Sequence, residues 1–161
     1  LPLTQLTEDE QMLKEATADF AQSSIAPLIQ KMDEQAKLEQ SVIDECFEMG
    51  LMGVEIPEKY EGAGGTFMMS IVSIEQLSRV DASVGVFMDV QNTLVNNAFL
   101  NFGSDDIQTK YLTQLATKKV GAYCLSEASS GSDAFALKAT AKLDGNHYIL
   151  ETPRHRQWLL F

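Results

Sequence analysis

Cysteine is scarce in this chain: 161 residues carry two, Cys46 and Cys124, far apart and in no C-x-x-C pattern. That count excludes a disulfide-stapled secreted scaffold, and the apolar neighbours of both residues predict two buried free thiols. Histidine is equally sparse. His147 and His155 have no Cys or Asp set around them at metal-ligand spacing, so no metal site is expected. Positive charge is the next deficit: 12 Lys and Arg face 23 Asp and Glu, a formal net charge of -11. Nucleic-acid binding needs a basic face, and docking on an anionic membrane needs basic clusters, so both classes are excluded. An anionic small ligand is not, because a few local donors outweigh a distant negative field. No apolar run approaches the roughly 20 residues of a membrane-spanning helix. The N-terminus shows no basic, acid-poor leader, so a targeting segment is not expected within this sequence. No internal repeat or low-complexity tract is present.

What remains has the composition of a globular protein, 45% hydrophobic and 22% charged. Residues 1–119 read as helices. Thr7 with Glu10 forms a capping box ahead of Met12, Leu13, Ala16 and Phe20 on one face, in a helix reaching about Ser24. Pro27 suits the first turn of a segment running to about Gln35. Ser41 with Asp44 opens a helix bearing Val42, Ile43, Cys46, Phe47 and Met49, which Gly50 stops. Leu51 to Pro57 is short and apolar. Glu61-Gly-Ala-Gly-Gly65 reads as a structural loop between helices, lacking the Walker A or G-x-G-x-x-G pattern of a phosphate cradle. Two buried helices follow, over about 68–80 and 84–102. The Met68-Met69 pair belongs to the core, and the second helix carries a buried stripe of Phe87, Val90, Leu94 and Ala98. Gly103 ends it, and Ser104 with Asp105 and Asp106 starts a helix to about Ala116. The paired carboxylates at 8–10, 44–45 and 105–106 all fall at helix starts, where capping and the helix dipole account for them.

The hydrophobic period then changes. Strands are expected from Val120–Gly121 to Ser126, from Leu137 to Leu143 and from His147 to Leu150, the last two joined at Asp144-Gly145-Asn146. Three strands in about 40 residues cannot bury a sheet by themselves, so the β part reads as incomplete. Between the first two lies the most informative stretch, Tyr123-Cys-Leu-Ser-Glu-Ala-Ser-Ser-Gly-Ser-Asp133. Its small residues let main-chain N–H groups approach an anion, and each hydroxyl can donate and accept, as a cofactor's polar groups require. The plainer reading of the same composition is a polar hairpin loop. Serine-hydrolase chemistry is not expected at Ser126, Ser129, Ser130 or Ser132, for no G-x-S-x-G elbow or neighbouring histidine accompanies them.

In combination these segments resemble the acyl-CoA dehydrogenase family. The resemblance rests on Gly50-Leu51, Pro57, Tyr60 and Gly62-Ala63-Gly64, then Val80-Asp81-Ala82-Ser83 and Gln91-Asn92-Thr93-Leu94. The strongest motif is Tyr123-Cys-Leu-Ser-Glu127 leading to Gly131-Ser132-Asp133. It covers residues 1–150 in the right order and looks closest to the short/branched-chain subgroup, with Ala128 where most members have proline. It implies a mostly α chain: an all-α N-terminal domain (1–119), the first strands of a β-barrel-like middle domain (120–150) and a non-matching tail (151–161), an incomplete multi-domain α+β architecture. It implies FAD-dependent α,β-dehydrogenation of short or branched acyl-CoA thioesters, as in fatty-acid and isoleucine breakdown, with electron-transfer flavoprotein as acceptor. A homotetramer in the mitochondrial matrix is implied likewise.

By motif position, Tyr123, Cys124, Leu125, Ser126, Glu127, Ala128, Ser129, Ser130, Gly131 and Ser132 would line the flavin. Leu125 and Ser126 would lie near its ring, Gly131 and Ser132 near the pyrophosphate, and Ser132 would also touch the acyl-CoA. No residue of the chain is assigned as catalytic: the family's glutamate base belongs to a C-terminal helical domain, so these 161 residues are expected to lack turnover alone. Two departures stand out. Glu61 replaces a glycine common in the family's Y-G-G-x-G loop, and Trp158 does not match the flavin-binding strand that normally follows Leu150. The competing readings are a non-enzymatic helical interaction module and an acyl-CoA oxidase-like chain.

Overall fold

The structure, a computed structural model, describes residues 5–151; the tail from Thr152, with His155 and Trp158, lies outside them. The chain separates into two compact units, Leu1–Tyr123 and Cys124–Phe161.

The first unit is helical. Helix α1 (Glu8–Phe20) opens on the expected box: Thr7 Oγ1 accepts from the Glu10 amide at 3.3 Å, and Glu10 Oε2 accepts from the Thr7 amide at 2.8 Å. The Glu10 carboxylate also accepts from Thr66 Oγ1 at 3.3 Å, so one buried acid ties α1 to the loop residue Thr66. The helical path continues through a widened π turn, Ala21–Ile25, and a 3-10 turn, Ala26–Leu28, into α2 (Ile29–Gln35). The π turn lies where Pro27 has no N–H to return to the preceding turn. The inward face of this run is Thr17, Phe20, Ala21 and Ile25; Met12, expected inside, is 56% exposed, and Ala16 is exposed too.

Helix α3 (Gln40–Glu48) begins one residue before Ser41 and has no side-chain cap, which corrects the expected Ser41 start. It buries Val42 and Cys46 and stops at Gly50, whose φ of +72° suits a residue without Cβ. The apolar segment after it is a 3-10 turn, Leu51–Gly53, and residues 51–54 are all buried. Helix α4 (Phe67–Ser78) is capped by Thr66, whose Oγ1 accepts from the Met69 amide at 3.2 Å. Helix α7 (Asp105–Thr117) is capped by Ser104, as its sequence predicts.

Between them a single helical rod spans Ala82 to Phe102 in three parts: α5 (Ala82–Asp89), a π segment Val90–Asn96, and α6 (Asn97–Phe102). It starts two residues before the expected Val84, because Asp81 Oδ1 accepts from the Ser83 and Val84 amides at 2.7 and 3.3 Å. Its inward face also differs from expectation. Val84, Met88, Gln91, Asn92, Val95 and Asn96 are buried, whereas Phe87, Val90 and Ala98 are only half-buried and Leu94 is exposed. The buried set still follows the helical period, at 84, 88, 91–92 and 95–96, so the rod is amphipathic but turns a neighbouring face to the core.

Two apolar clusters result. One gathers Phe20, Ile25, Val42, Cys46, Leu51, Met52, Leu77, Val84 and Met88, with Met69 packed at its margin; the other joins Ile56, Tyr60 and Val95 to Leu112 and Leu115 of α7. No helix among the described residues is long and apolar enough to cross a membrane.

The second unit contains one antiparallel hairpin, β1 (Thr140–Asp144) with β2 (His147–Glu151), in register Asp144↔His147 through Thr140↔Glu151. Gly145 has φ +62° at the first loop position, as a tight primed turn demands. Strand β1 starts three residues after the expected Leu137. The strand expected up to Ser126 does not form: residues 119–126 have no regular structure and no strand pairs with them among the described residues. Alternating apolar character describes what a segment could pair with, but a strand exists only when a partner supplies its ladder.

Candidate functional site

Tyr123 is the last residue of the first unit and is 46% exposed. Within the second unit, Cys124, Leu125 and Ser126 are exposed, and the loop then closes on itself. Glu127 and Ser130 exchange main-chain hydrogen bonds, Glu127 N to Ser130 O at 2.9 Å and Ser130 N to Glu127 O at 3.1 Å, around a tight turn at Ala128-Ser129. Ser130 is buried, and its Oγ donates to the Asp133 carbonyl at 2.8 Å. The Glu127 carboxylate accepts from two successive amides, Lys138 at 2.8 Å and Ala139 at 3.0 Å, which locks the loop against the chain that enters β1. Asp133 Oδ1 accepts from the Phe135 amide at 3.2 Å.

The ten expected site residues therefore divide by task. Glu127 and Ser130 are consumed in building the loop. Ser126, Ser129 and Ser132 are exposed, and none of the loop's hydrogen bonds uses their hydroxyls. The amides of Ala128, Ser129, Gly131 and Ser132 are absent from the loop's main-chain bonds as well. Gly131 is exposed, and a Cβ built on it would meet nothing within 4 Å. Nothing in the described chain thus requires glycine there; open space over successive unspent N–H groups is the arrangement that receives an anion. The donor set fits FAD, with hydroxyls for the ring edge and small-residue amides for the pyrophosphate.

Cys124 corrects another expectation, being exposed where a buried thiol was anticipated. Cys46 is buried, and that burial, reinforced by the neighbouring Glu45 charge, pushes its thiol up to about 12. It is a packing residue with no nucleophilic use near neutral pH.

The glycine-rich loop at 61–65 is structural, as its sequence suggests. Its amides are already spent, Ala63 N on Gly53 O at 3.0 Å, Gly64 N on Ile56 O at 2.9 Å and Gly65 N on Val54 O at 2.7 Å. Glu61, standing where the family pattern has glycine, adopts a left-handed conformation with φ +62°. That is the physical reason for the pattern, and Glu61 carries its strain.

Sequence reasoning missed the structural task of the Gln91-Asn92 pair, whose residues it quoted only as a motif. Asn92 Oδ1 accepts from Val54 N at 3.0 Å, and its Nδ2 donates to Leu51 O at 2.7 Å and Met88 O at 3.0 Å. Asn96 Nδ2 donates to Met52 O at 2.9 Å. Buried amides on a helix beside an apolar, non-helical segment are the available signal, since that segment's main chain needs partners.

With this geometry in hand, comparison with known proteins is decisive. A family profile described as "Acyl-CoA dehydrogenase, N-terminal domain" matches residues 7–119. The helical unit is of that class, and the chain belongs to the acyl-CoA dehydrogenase family. It is 45% identical over 149 residues to the mitochondrial short/branched chain specific acyl-CoA dehydrogenase of Rattus norvegicus, covering 92% of this chain and 34% of that protein. The chain thus spans about a third of the length of such relatives. Its fold superposes with TM-score 0.85 and 36% identity on a chain from the structure of the electron transferring flavoprotein of Acidaminococcus fermentans, covering 91% of this chain and 39% of that one. An acyl-CoA dehydrogenase complexed with FAD from Bacillus anthracis gives TM-score 0.79 and 32% identity, over 90% and 25% of the two chains.

Proposed function

We propose that this chain contributes the helical N-terminal domain and one flavin-facing wall to FAD-dependent α,β-dehydrogenation of short or branched acyl-CoA thioesters. The single observation that carries the reading is the division of labour in the 123–132 stretch. Glu127 and Ser130 build the loop, while the hydroxyls of Ser126, Ser129 and Ser132 and the amides around Gly131 stay unspent. The identity to a short/branched chain enzyme supports the substrate class.

When bound, FAD supplies the oxidant that takes hydride from the substrate's β carbon. The chain's own part is binding and orientation. Tyr123, Cys124 and Leu125 would present a surface to the ring, and the Ser126 hydroxyl would donate to its edge, where donors stabilise developing negative charge. Ala128, Ser129, Gly131 and Ser132 offer amides and hydroxyls to the pyrophosphate, with Ser132 also reaching the acyl-CoA. No residue here is assigned the role of base. Proton removal from the α carbon belongs to a carboxylate that these 161 residues do not supply. Electron-transfer flavoprotein as acceptor, a homotetramer and a mitochondrial matrix location complete the proposal.

The test is to titrate the purified chain with FAD and follow the flavin absorbance, then assay 2-methylbutyryl-CoA with an artificial electron acceptor. A shifted flavin spectrum without turnover is expected. Turnover by these 161 residues refutes the claim that the base lies elsewhere, and an unperturbed spectrum refutes the flavin wall.

A further inference from the structure

The rod at 82–102 does more than bury apolar surface: it holds the chain that leads to Tyr123. Gln91 is only 1% exposed, and both ends of its amide are bound. Nε2 donates to the carbonyls of Leu115 and Lys119 at 3.0 and 3.1 Å, and Oε1 accepts from the Gly121 amide at 2.7 Å. A carbonyl at one residue and an N–H two residues on, both engaged by one opposing amide, is the bonding that a parallel neighbouring strand would give the residue between, Val120. The extended segment after α7 has no strand partner among the described residues, and a side chain takes that partner's place.

A second observation is independent of these bonds. A Cβ on Gly121 would stand 2.4 Å from Val95 Cγ1 and 3.1 Å from Val95 Cβ, so the main chain is pressed against the rod as only glycine allows. Gln91 and Val95 both lie in the π segment Val90–Asn96. The widened turn presents both to the same stretch of main chain.

We propose that Gln91 is a positioning residue, with Gly121 seated on Val95 as its complement. Together they set the course of Lys119–Gly121 and thereby of the chain up to Tyr123, which the flavin reading places against the cofactor. This rests on the flavin reading of Tyr123–Ser132. Gln91 touches no flavin; it acts through the main chain.

The experiment uses the whole chain, FAD as probe, and four variants: Gln91→Met, Gln91→Glu, Gly121→Ala, and Gly121→Ala combined with Val95→Ala. Gln91→Met removes all three bonds at similar volume. It is expected to speed exchange of the Gly121 amide and weaken FAD binding by about tenfold to a hundredfold, the equivalent of one or two buried hydrogen bonds. Gln91→Glu keeps the acceptor for Gly121 and loses the donors, so it falls between Met and the wild type. Gly121→Ala blurs the flavin spectrum and weakens binding, and adding Val95→Ala, which removes Cγ1, restores both.

Unchanged Gly121 exchange in a folded Gln91→Met overturns the proposal, as does equal FAD affinity in Gly121→Ala and the double variant. Should Gln91→Met fail to fold, the Gly121 and Val95 pair decides. Absence of any FAD response in the wild type refutes the flavin reading and with it the flavin part of this proposal, while Gly121 exchange still decides whether Gln91 holds the segment.

Discussion

Replacing Asn92 by alanine tests the central claim about the first unit, that buried amides on the 82–102 rod hold the non-helical segment 51–54. Asn92 is fully buried, and so is Leu51, with Val54 at 2%. In Asn92→Ala the buried Val54 N–H and Leu51 carbonyl lose their partner. The Met88 carbonyl lies in the same helix and has less to lose. Each orphaned buried group costs about 1–3 kcal/mol, and the small void adds to that, so a loss of about 3–5 kcal/mol is expected. That is a large part of the roughly 5–15 kcal/mol that stabilises an ordinary domain. Asn96→Ala is the internal control. Its Nδ2 serves one main-chain carbonyl and, more weakly at 3.4 Å, Asn92 Oδ1, while its own Oδ1 has no partner, so its loss is expected to be smaller, about 1–2 kcal/mol. Urea unfolding followed by far-ultraviolet circular dichroism gives both values. A loss below about 1 kcal/mol for Asn92→Ala, or a greater loss for Asn96→Ala, refutes the reasoning, because unsatisfied main-chain groups would then not be what the amides prevent.

Four further outcomes are expected. Glu61→Gly relieves a left-handed residue at φ +62° and is expected to raise stability by about 1 kcal/mol, read as a higher unfolding midpoint; a lower one refutes the strain. The Cys46 thiol, raised from 9.0 to about 12, keeps its proton in the folded state while the unfolded state loses it. Its contribution is therefore present in full below pH 9 and declines as pH rises from 9 toward 12, and comparing wild type with Cys46→Val over that range isolates it. Near pH 8 a thiol-reactive disulfide is expected to modify one cysteine per folded chain, Cys124, and modification of two contradicts the burial of Cys46. Glu127→Gln leaves one acceptor oxygen for two amides, so exchange at Lys138 or Ala139 is expected to quicken while the helical unit is unaffected; protection of both amides refutes the clamp.

The proposed site residues were nameable because motif order points to them, and the structure gives several of them a task inside their own loop. Glu127 and Ser130 have the hydrogen-bonding chemistry of ligand groups, yet their partners are 11 and 12 residues or a single turn away in the same loop. Nothing in the letters separates a hydroxyl spent on its own loop, such as that of Ser130, from one left open, such as that of Ser129. Gln91 was visible as a motif letter; its task was not, because Leu115, Lys119 and Gly121 lie 24 to 30 positions away.

Local chemistry decided much from the sequence by itself. The Thr7–Glu10 box, the Ser104 cap, the Gly50 stop and the turn at Gly145 involve atoms within a few residues of one another, so the residues present are sufficient cause. Tertiary structure decided the rest. It turned the face with Gln91, Asn92 and Asn96 inward and Leu94 outward, because main chain at 51–54 and 115–121 takes their amides. It also left residues 119–126 without regular structure or a strand partner among the described residues, with Gln91 bonded to Lys119 and Gly121 instead. Side-chain period records a preference for a face. Which face is buried, and whether an extended segment becomes a strand, depends on what the rest of the chain brings against it.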